Sequence, residues 1–258
     1  MSWGVEVEPT LVGWGKSFNL EVGSLHMDAR TISQRLPVLG RSGSGKSTLL
    51  YLLTFLKMPF QGRVRWVFPD GKRAAWDHRG LDKRVSTLSL AQIRRRYFGF
   101  AYQRSTLTPY LSVRENLLYP LQLRKGWGRK EMEERVRESV RRVLLCGSEA
   151  EEVGEEEVDE LMARYPCELS GGQLQRVALT QAMIHDPYVL FADEPTGSLD
   201  TATRKEVMAV VDKWLETGDR LFIWVTHHLS DALDPRVTHR LLVSSGRCQL
   251  QRTQNEES

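Results

Sequence analysis

No stretch of the 258 residues approaches the roughly 18–20 consecutive apolar residues that a membrane span requires. The longest greasy segments, 188–192 and 221–225, are of strand length and end at charged or polar residues. The opening residues MSWGVEVEPT lack a basic segment followed by an apolar one, so no secretion signal is expected. Cysteine is scarce: Cys146, Cys167 and Cys248 are odd in number, scattered, and without metal-ligand spacing. They are expected to be reduced thiols of a cytoplasmic protein, not a disulfide framework. Charge of one sign is also lacking, since 36 basic against 33 acidic residues leave +3, too balanced to announce a nucleic-acid surface. Repeats and low-complexity tracts are absent apart from an acidic stretch, 149–160, which is expected to be a solvated loop or insertion.

What is present is an ordinary globular composition, with 41% hydrophobic and 27% charged residues and ample apolar mass for a core. Strands alternate with helices, which argues an α/β fold with a largely parallel central sheet. Residues 35–39 read as a buried strand, although Pro37 removes one ladder donor and predicts a local irregularity. A glycine-rich loop follows, then a helix from Lys46 whose Leu49, Leu50, Leu52, Leu53, Phe55 and Leu56 are apolar nearly all round, hence deeply buried. Residues 62–68 alternate with period two, and Pro69-Asp70-Gly71 supplies a turn after them. From about Thr106 the pattern becomes helical, with Met132, Val136, Val140, Val143 and Leu144 forming one amphipathic stripe. After Asp186-Pro187 strands return at 188–192 and 221–225. Asp200 and Gly218 are expected to cap the helix between them.

The first chemical signal is Gly40-Arg-Ser-Gly-Ser-Gly-Lys46-Ser47, a complete G-x-x-x-x-G-K-[ST] string between a strand and a helix. Its glycines let backbone N–H groups curl around phosphate oxygens at a helix N-terminus. Lys46 is placed to reach the β- and γ-phosphates and Ser47 to ligate Mg²⁺, so the loop predicts binding of a nucleoside triphosphate. Gly40, Arg41, Ser42, Gly43, Ser44, Gly45, Lys46, Ser47 and Thr48 form the expected cradle. The second signal is Asp193-Glu194 at the C-terminal end of an apolar strand, where ligands of parallel sheets sit. Adjacent strand residues point to opposite sides, so Asp193 is expected to hold Mg²⁺ and Glu194 to orient or deprotonate water. The third is Leu169-Ser170-Gly171-Gly172-Gln173, a second glycine-rich turn feeding a helix. One triphosphate needs one such cradle, which suggests that the second serves a nucleotide held by another copy.

These strings, with Ala192-Asp-Glu-Pro-Thr-Gly-Ser-Leu-Asp200 and Val225-Thr-His227, stand in the order seen in ATP-binding cassette (ABC) ATPases. The resemblance covers about residues 14–245, and phrases such as SVRENLLYPL and FADEPTGSLD look most like the lipoprotein-release, macrolide-export and cell-division branch. It implies a P-loop NTPase (RecA-like) α/β core with an N-terminal antiparallel β subdomain and an inserted helical subdomain. The expected bounds are 1–105 and 187–258 for the core and 106–186 for the helical part. By resemblance, Gln103 touches Mg²⁺ and water and couples the site to a membrane partner. Ser170, Gly171, Gly172 and Gln173 grip a γ-phosphate across a dimer interface, Asp200 links the two sites, and His227 contacts the γ-phosphate. For the adenine-stacking aromatic, Phe18 is chosen over Trp14; either can equally be a core aromatic.

The sequence also departs from the pattern. Ser33-Gln34 replaces the usual Gly-Glu, and His228 replaces the aspartate that often follows the switch histidine. Leu179-Thr-Gln181-Ala-Met183 lacks the usual Ala-Arg-Ala, and the acidic stretch is longer than the branch norm. The resemblance implies an ATP hydrolase using ATP and Mg²⁺ that dimerises head to tail and drives a separate transmembrane permease, for export or mechanotransmission. It would sit on the inner face of the cell membrane through that partner, with no direct nucleic acid contact. The alternative is a soluble ABC ATPase acting on DNA, ribosomes or cluster assembly; no coiled-coil, zinc-finger or second-cassette insertion supports it.

Overall fold

The computed structural model describes residues 3–15, 17–102, 106–123, 126–146, 152–197 and 199–253. Its strands are β1 (Gly4–Val7), β2 (Thr10–Gly13), β3 (Asn19–Val22), β4 (Leu25–Asp28), β5 (Arg35–Leu39), β6 (Arg63–Val67), β7 (Arg73–Asp77), β8 (Gly80–Leu81), β9 (Phe98–Ala101), β10 (Val189–Asp193), β11 (Leu221–Val225), β12 (His239–Ser244) and β13 (Arg247–Arg252). The helices are α1 (Lys46–Leu53), α2 (Leu90–Tyr97), α3 (Val113–Gln122), α4 (Arg129–Leu145), α5 (Glu155–Ala163), α6 (Gly171–Met183), α7 (Thr201–Leu215) and α8 (Leu229–Ala232).

The larger sheet runs β2-β3-β13-β12-β5-β11-β10-β9, and its section from β5 to β9 is parallel. These strands are apolar without alternation because both faces are covered. Along β10, Val189 and Phe191 join the core built with α1, whereas Leu190 and Ala192 join a second core with α6 and α7. The smaller sheet, β4-β1-β6-β7-β8, is antiparallel throughout. Trp66 of β6 locks it to the first core: its ring meets Phe98 and Phe191, and its Nε1 donates to the Leu53 carbonyl at 2.9 Å. A third apolar cluster joins α3, α4 and α5 to the underside of α6 through Val113, Leu117, Val136, Val140, Val158 and Val177.

Three local expectations meet a different outcome, and a fourth, the irregularity at Pro37, is confined to one side of the strand. Helix α1 stops at Leu53, because Phe55 takes a left-handed φ of 60°; Leu56 therefore lies beyond the helix and is exposed. Pro37 leaves the central pairing intact. The Gln34 and Val38 carbonyls accept from the N–H groups of Phe222 on β11 and of Thr226 just after it, so Pro37 faces β12, where pairing starts only at Val38. Within the acidic stretch, residues 149–151 lie outside the described ones and 152–154 are loop, but from Glu155 on it is helix. Val158, Leu161 and Met162, at i, i+3 and i+4, bury one face of α5, while Glu155 pairs with Arg137 and Arg141 of α4. Finally, α7 is capped at its C-terminus by Glu216, and Gly218 instead offers its carbonyl to Gln34 Nε2 at 2.8 Å.

Candidate functional site

The loop 40–45 leaves the buried end of β5 and turns into α1. Gly45 is the N-cap at φ 108°, with no side chain satisfying the first-turn N–H groups, which leaves them open toward an anion. No larger residue fits there, since a Cβ on Gly45 would lie 2.7 Å from the Phe18 ring. Lys46 is 6% exposed and folds back over its own loop, Nζ donating to the Gly40 and Arg41 carbonyls at 3.0 and 2.9 Å. Burial lowers its pKa, and the charges of Glu194 and Asp193 pull it back up.

Asp193 is the last residue of β10, and the Ser47 hydroxyl stands near enough to its carboxylate to favour the charged form. Burial raises the Asp193 pKa and the neighbouring Glu194 charge adds to the rise, against Ser47, Lys46 and His227. Two hard oxygens side by side next to an anion cradle suit Mg²⁺, which takes one or two protein oxygens and completes its shell with phosphates and water. Among the described residues no group of three or more His, Cys, Asp or Glu side chains is set to hold a metal without a nucleotide.

Glu194 does not continue the strand. Its φ is 49°, a strained conformation for a side chain of this size, and its N–H donates to the Val225 carbonyl at 3.2 Å. The division between Asp193 and Glu194 thus comes from this backbone reversal and not from strand alternation. The reversal brings the Glu194 carboxylate onto His227 Nε2, in the segment after β11. Gln103 and Ser198 lie outside the described residues. Just before Gln103, Ala101 pairs with Ala192 of β10, and Tyr102 packs on Phe100 at 4.3 Å between ring centroids.

The second glycine-rich turn is built as a helix start. Ser170 Oγ accepts from Gln173 N–H at 3.2 Å, and Gln173 Oε1 accepts from Ser170 N–H at 3.0 Å, a reciprocal capping box opening α6. Asp200 likewise caps α7 through the N–H groups of Ala202 and Thr203, as expected. Ser170, Gly171, Gly172, Asp200 and Thr203 line one open cleft of about 310 Å³. The lining of that cleft includes none of Lys46, Ser47, Asp193, Glu194 and His227.

Of the two candidate aromatics, Phe18 is half-buried, packed on the first core and against Gly45. Trp14 is 53% exposed; its Nε1 donates to Thr48 Oγ1 at 3.3 Å, and the Lys57 ammonium sits 3.9 Å over its ring. Two residues escaped the sequence reading, Arg204 and Asp231, which are ion-paired beside His227. The missing aspartate at position 228 was the available signal, because it left open which acid serves that loop.

Residues 27–197 match the family model described as ABC transporter. The chain is 40% identical over 205 residues to the lipoprotein-releasing system ATP-binding protein LolD of Aquifex aeolicus, covering 80% of this chain and 79% of that one. It is 36% identical over 207 residues to the macrolide export ATP-binding/permease protein MacB of Shigella flexneri, covering 79% of this chain and 26% of that one. A sulfate/thiosulfate import ATP-binding protein, CysA of Thermosynechococcus vestitus, is 36% identical over 197 residues, covering 76% and 49%. The fold matches the dimeric structure of a bacterial ABC transporter cassette with a TM-score of 0.71 at 24% identity, over 97% of this chain and 99% of that one.

Proposed function

This chain belongs to the ABC transporter family, as an ATP-binding subunit of its ATPase class, and on that premise we propose that two copies close head to tail around two ATP molecules to drive a separate transmembrane subunit. The observation that carries the reading is the split of phosphate-seeking elements within one chain. Lys46, Ser47, Asp193, Glu194 and His227 gather at the ends of β5, β10 and β11, whereas Ser170, Gly171 and Gly172 open a different cleft beside Asp200. A second copy turned head to tail would lay its Ser170 turn over the ATP held at Lys46.

In this reading the β- and γ-phosphates replace the Gly40 and Arg41 carbonyls at Lys46 Nζ, and the open N–H groups of α1 hold their oxygens. Trp14, the exposed ring beside Thr48, takes the base-stacking role in place of Phe18, the ring expected from the resemblance. Ser47 and Asp193 would hold Mg²⁺, which when bound neutralises charge on the phosphates. Glu194 takes the proton of the attacking water, and His227 orients that carboxylate and then meets the γ-phosphate. Gln103 reports this site to the membrane subunit. That subunit docks in the groove of about 600 Å³ between α3 and α4, lined by Leu118, Tyr119 and Met132. The chain's own described helices include none long and apolar enough to cross a membrane. In this reading it works from the inner face of the membrane through the partner. Release or export of a cargo is supported by the relatives named for lipoprotein release and macrolide export.

The test is Glu194→Gln in ATP and Mg²⁺, followed by size-exclusion chromatography with light scattering. The reading expects an ATP-bound dimer that reverts to monomer in ADP. A variant that binds ATP and stays monomeric would contradict it.

A further inference from the structure

We propose that Asp231 is a positioning residue for His227 and that it acts with Arg204, joining the histidine's loop to the first turn of α7. Both side chains are nearly buried, with 12% and 14% exposure, although they sit beside an exposed loop. One carboxylate oxygen of Asp231 pairs with Arg204 Nη2. The other accepts from the Thr226 hydroxyl and from Trp224 Nε1 at 3.3 Å. Thr226 precedes His227 directly, and its hydroxyl oxygen also accepts the His228 N–H at 3.1 Å. The backbone on both sides of His227 is thus tied, through one hydroxyl, to Asp231. The Asp231 N–H closes the same turn on the His228 carbonyl at 3.1 Å. His227 itself is exposed, so its reach toward Glu194 depends on how this backbone is held.

Arg204 anchors the arrangement elsewhere. Its N–H donates to the Asp200 carbonyl at 2.9 Å, in the turn that Asp200 caps. Thr203, next to it, touches the other cradle: a Cβ on Gly172 would stand 2.6 Å from Thr203 Cγ2, so only glycine admits this approach. One helical turn therefore packs on the Gly172 turn through Thr203 and holds the His227 loop through Arg204 and Asp231. Where two copies close head to tail, the reading on which this consequence rests, that turn links the histidine serving a chain's own ATP to the glycine turn serving its partner's.

The test is steady-state ATP hydrolysis and thermal unfolding of full-length Asp231→Ala, Asp231→Asn, Arg204→Ala and the Asp231→Ala/Arg204→Ala double variant. Each alanine variant is expected to lower kcat about tenfold with KM within about twofold, and the double variant to be no worse than the poorer single. Asp231→Asn keeps acceptor capacity for Thr226 and Trp224 but loses the charge opposite Arg204, and should fall between wild type and alanine. A lower melting temperature with unchanged kcat, or losses that multiply in the double variant, would overturn the proposal. If the alanine variants fail to fold, Asp231→Asn decides, and a wild-type kcat there overturns it. Failure of the head-to-tail reading shows separately, as a Glu194→Gln protein that stays monomeric in ATP whatever stands at 231.

Discussion

His227 Nε2 and a carboxylate oxygen of Glu194 are hydrogen-bonded to each other, and the contact exists because Glu194 leaves β10 in a left-handed conformation. A glutamate continuing the strand would point away from the segment after β11. The same reversal leaves Glu194 close enough to Asp193 and Lys46 for its charge to act on both, without sharing the hydrogen bonds of Lys46 to the loop carbonyls.

Removing the base should stop chemistry and spare binding. Glu194→Gln is expected to lower kcat by about 10²–10⁴-fold while leaving ATP affinity near wild type, and His227→Ala to lower it by about 10²-fold. The two losses should not multiply, because the residues act as a unit. Single-turnover hydrolysis with calorimetric ATP binding measures both quantities. Wild-type turnover in Glu194→Gln would remove the base assignment.

The exposed ring should govern the base. Trp14→Ala is expected to weaken ATP binding by about 1–2 kcal/mol, the range for loss of a base–aromatic stack, and Trp14→Phe to recover most of it. Phe18→Ala removes a half-buried ring packed against Gly45, so its main cost should be stability, about 1–3 kcal/mol. Calorimetry against ATP and thermal unfolding separate the two. A larger affinity loss at Phe18 than at Trp14 would return the role to Phe18.

Much of this architecture was legible in the sequence, and the reasons are local. Residues Val189–Ala192 and the strand Leu221–Val225 are apolar throughout because both sheet faces are covered, and runs that short are rarely anything else. The phosphate loop reads plainly because its glycines serve backbone geometry. What stayed hidden depends on distant partners or single dihedrals. The end of α1 is set by one left-handed residue, Phe55, and α5 hides its buried face among acids that pair with α4. The choice between Trp14 and Phe18 turns on which ring packs on Gly45, a contact across 27 residues in the case of Phe18. The Arg204–Asp231 pair likewise spans elements with no shared periodicity.

Acid should weaken the smaller sheet through Asp77. Its carboxylate on β7 is held well below its ordinary value of 3.8, first by the Arg79 side chain and further by the Arg79 N–H and Arg63, against burial. A depressed folded-state pKa adds stability above the unfolded value, and that stability is lost as pH falls through the window below about 4. Asp77→Asn is therefore expected to be less stable than wild type at pH 7, by about 1–3 kcal/mol, and to show a flatter acid limb. Denaturant titrations between pH 3 and 7 read this; parallel limbs for the two proteins would contradict it.

The most direct test of the central claim mixes two dead chains. A Lys46→Ala chain keeps its Ser170 turn, and a Ser170→Arg chain keeps its phosphate loop, so neither homodimer has a complete site. In a mixed pair the intact loop of one faces the intact turn of the other. The account predicts negligible ATP hydrolysis by each variant alone and clear recovery on mixing, toward about half of the wild-type rate per mixed dimer and so about a quarter in a one-to-one mixture. Activity in the mixture no greater than the sum of the separate chains would contradict it.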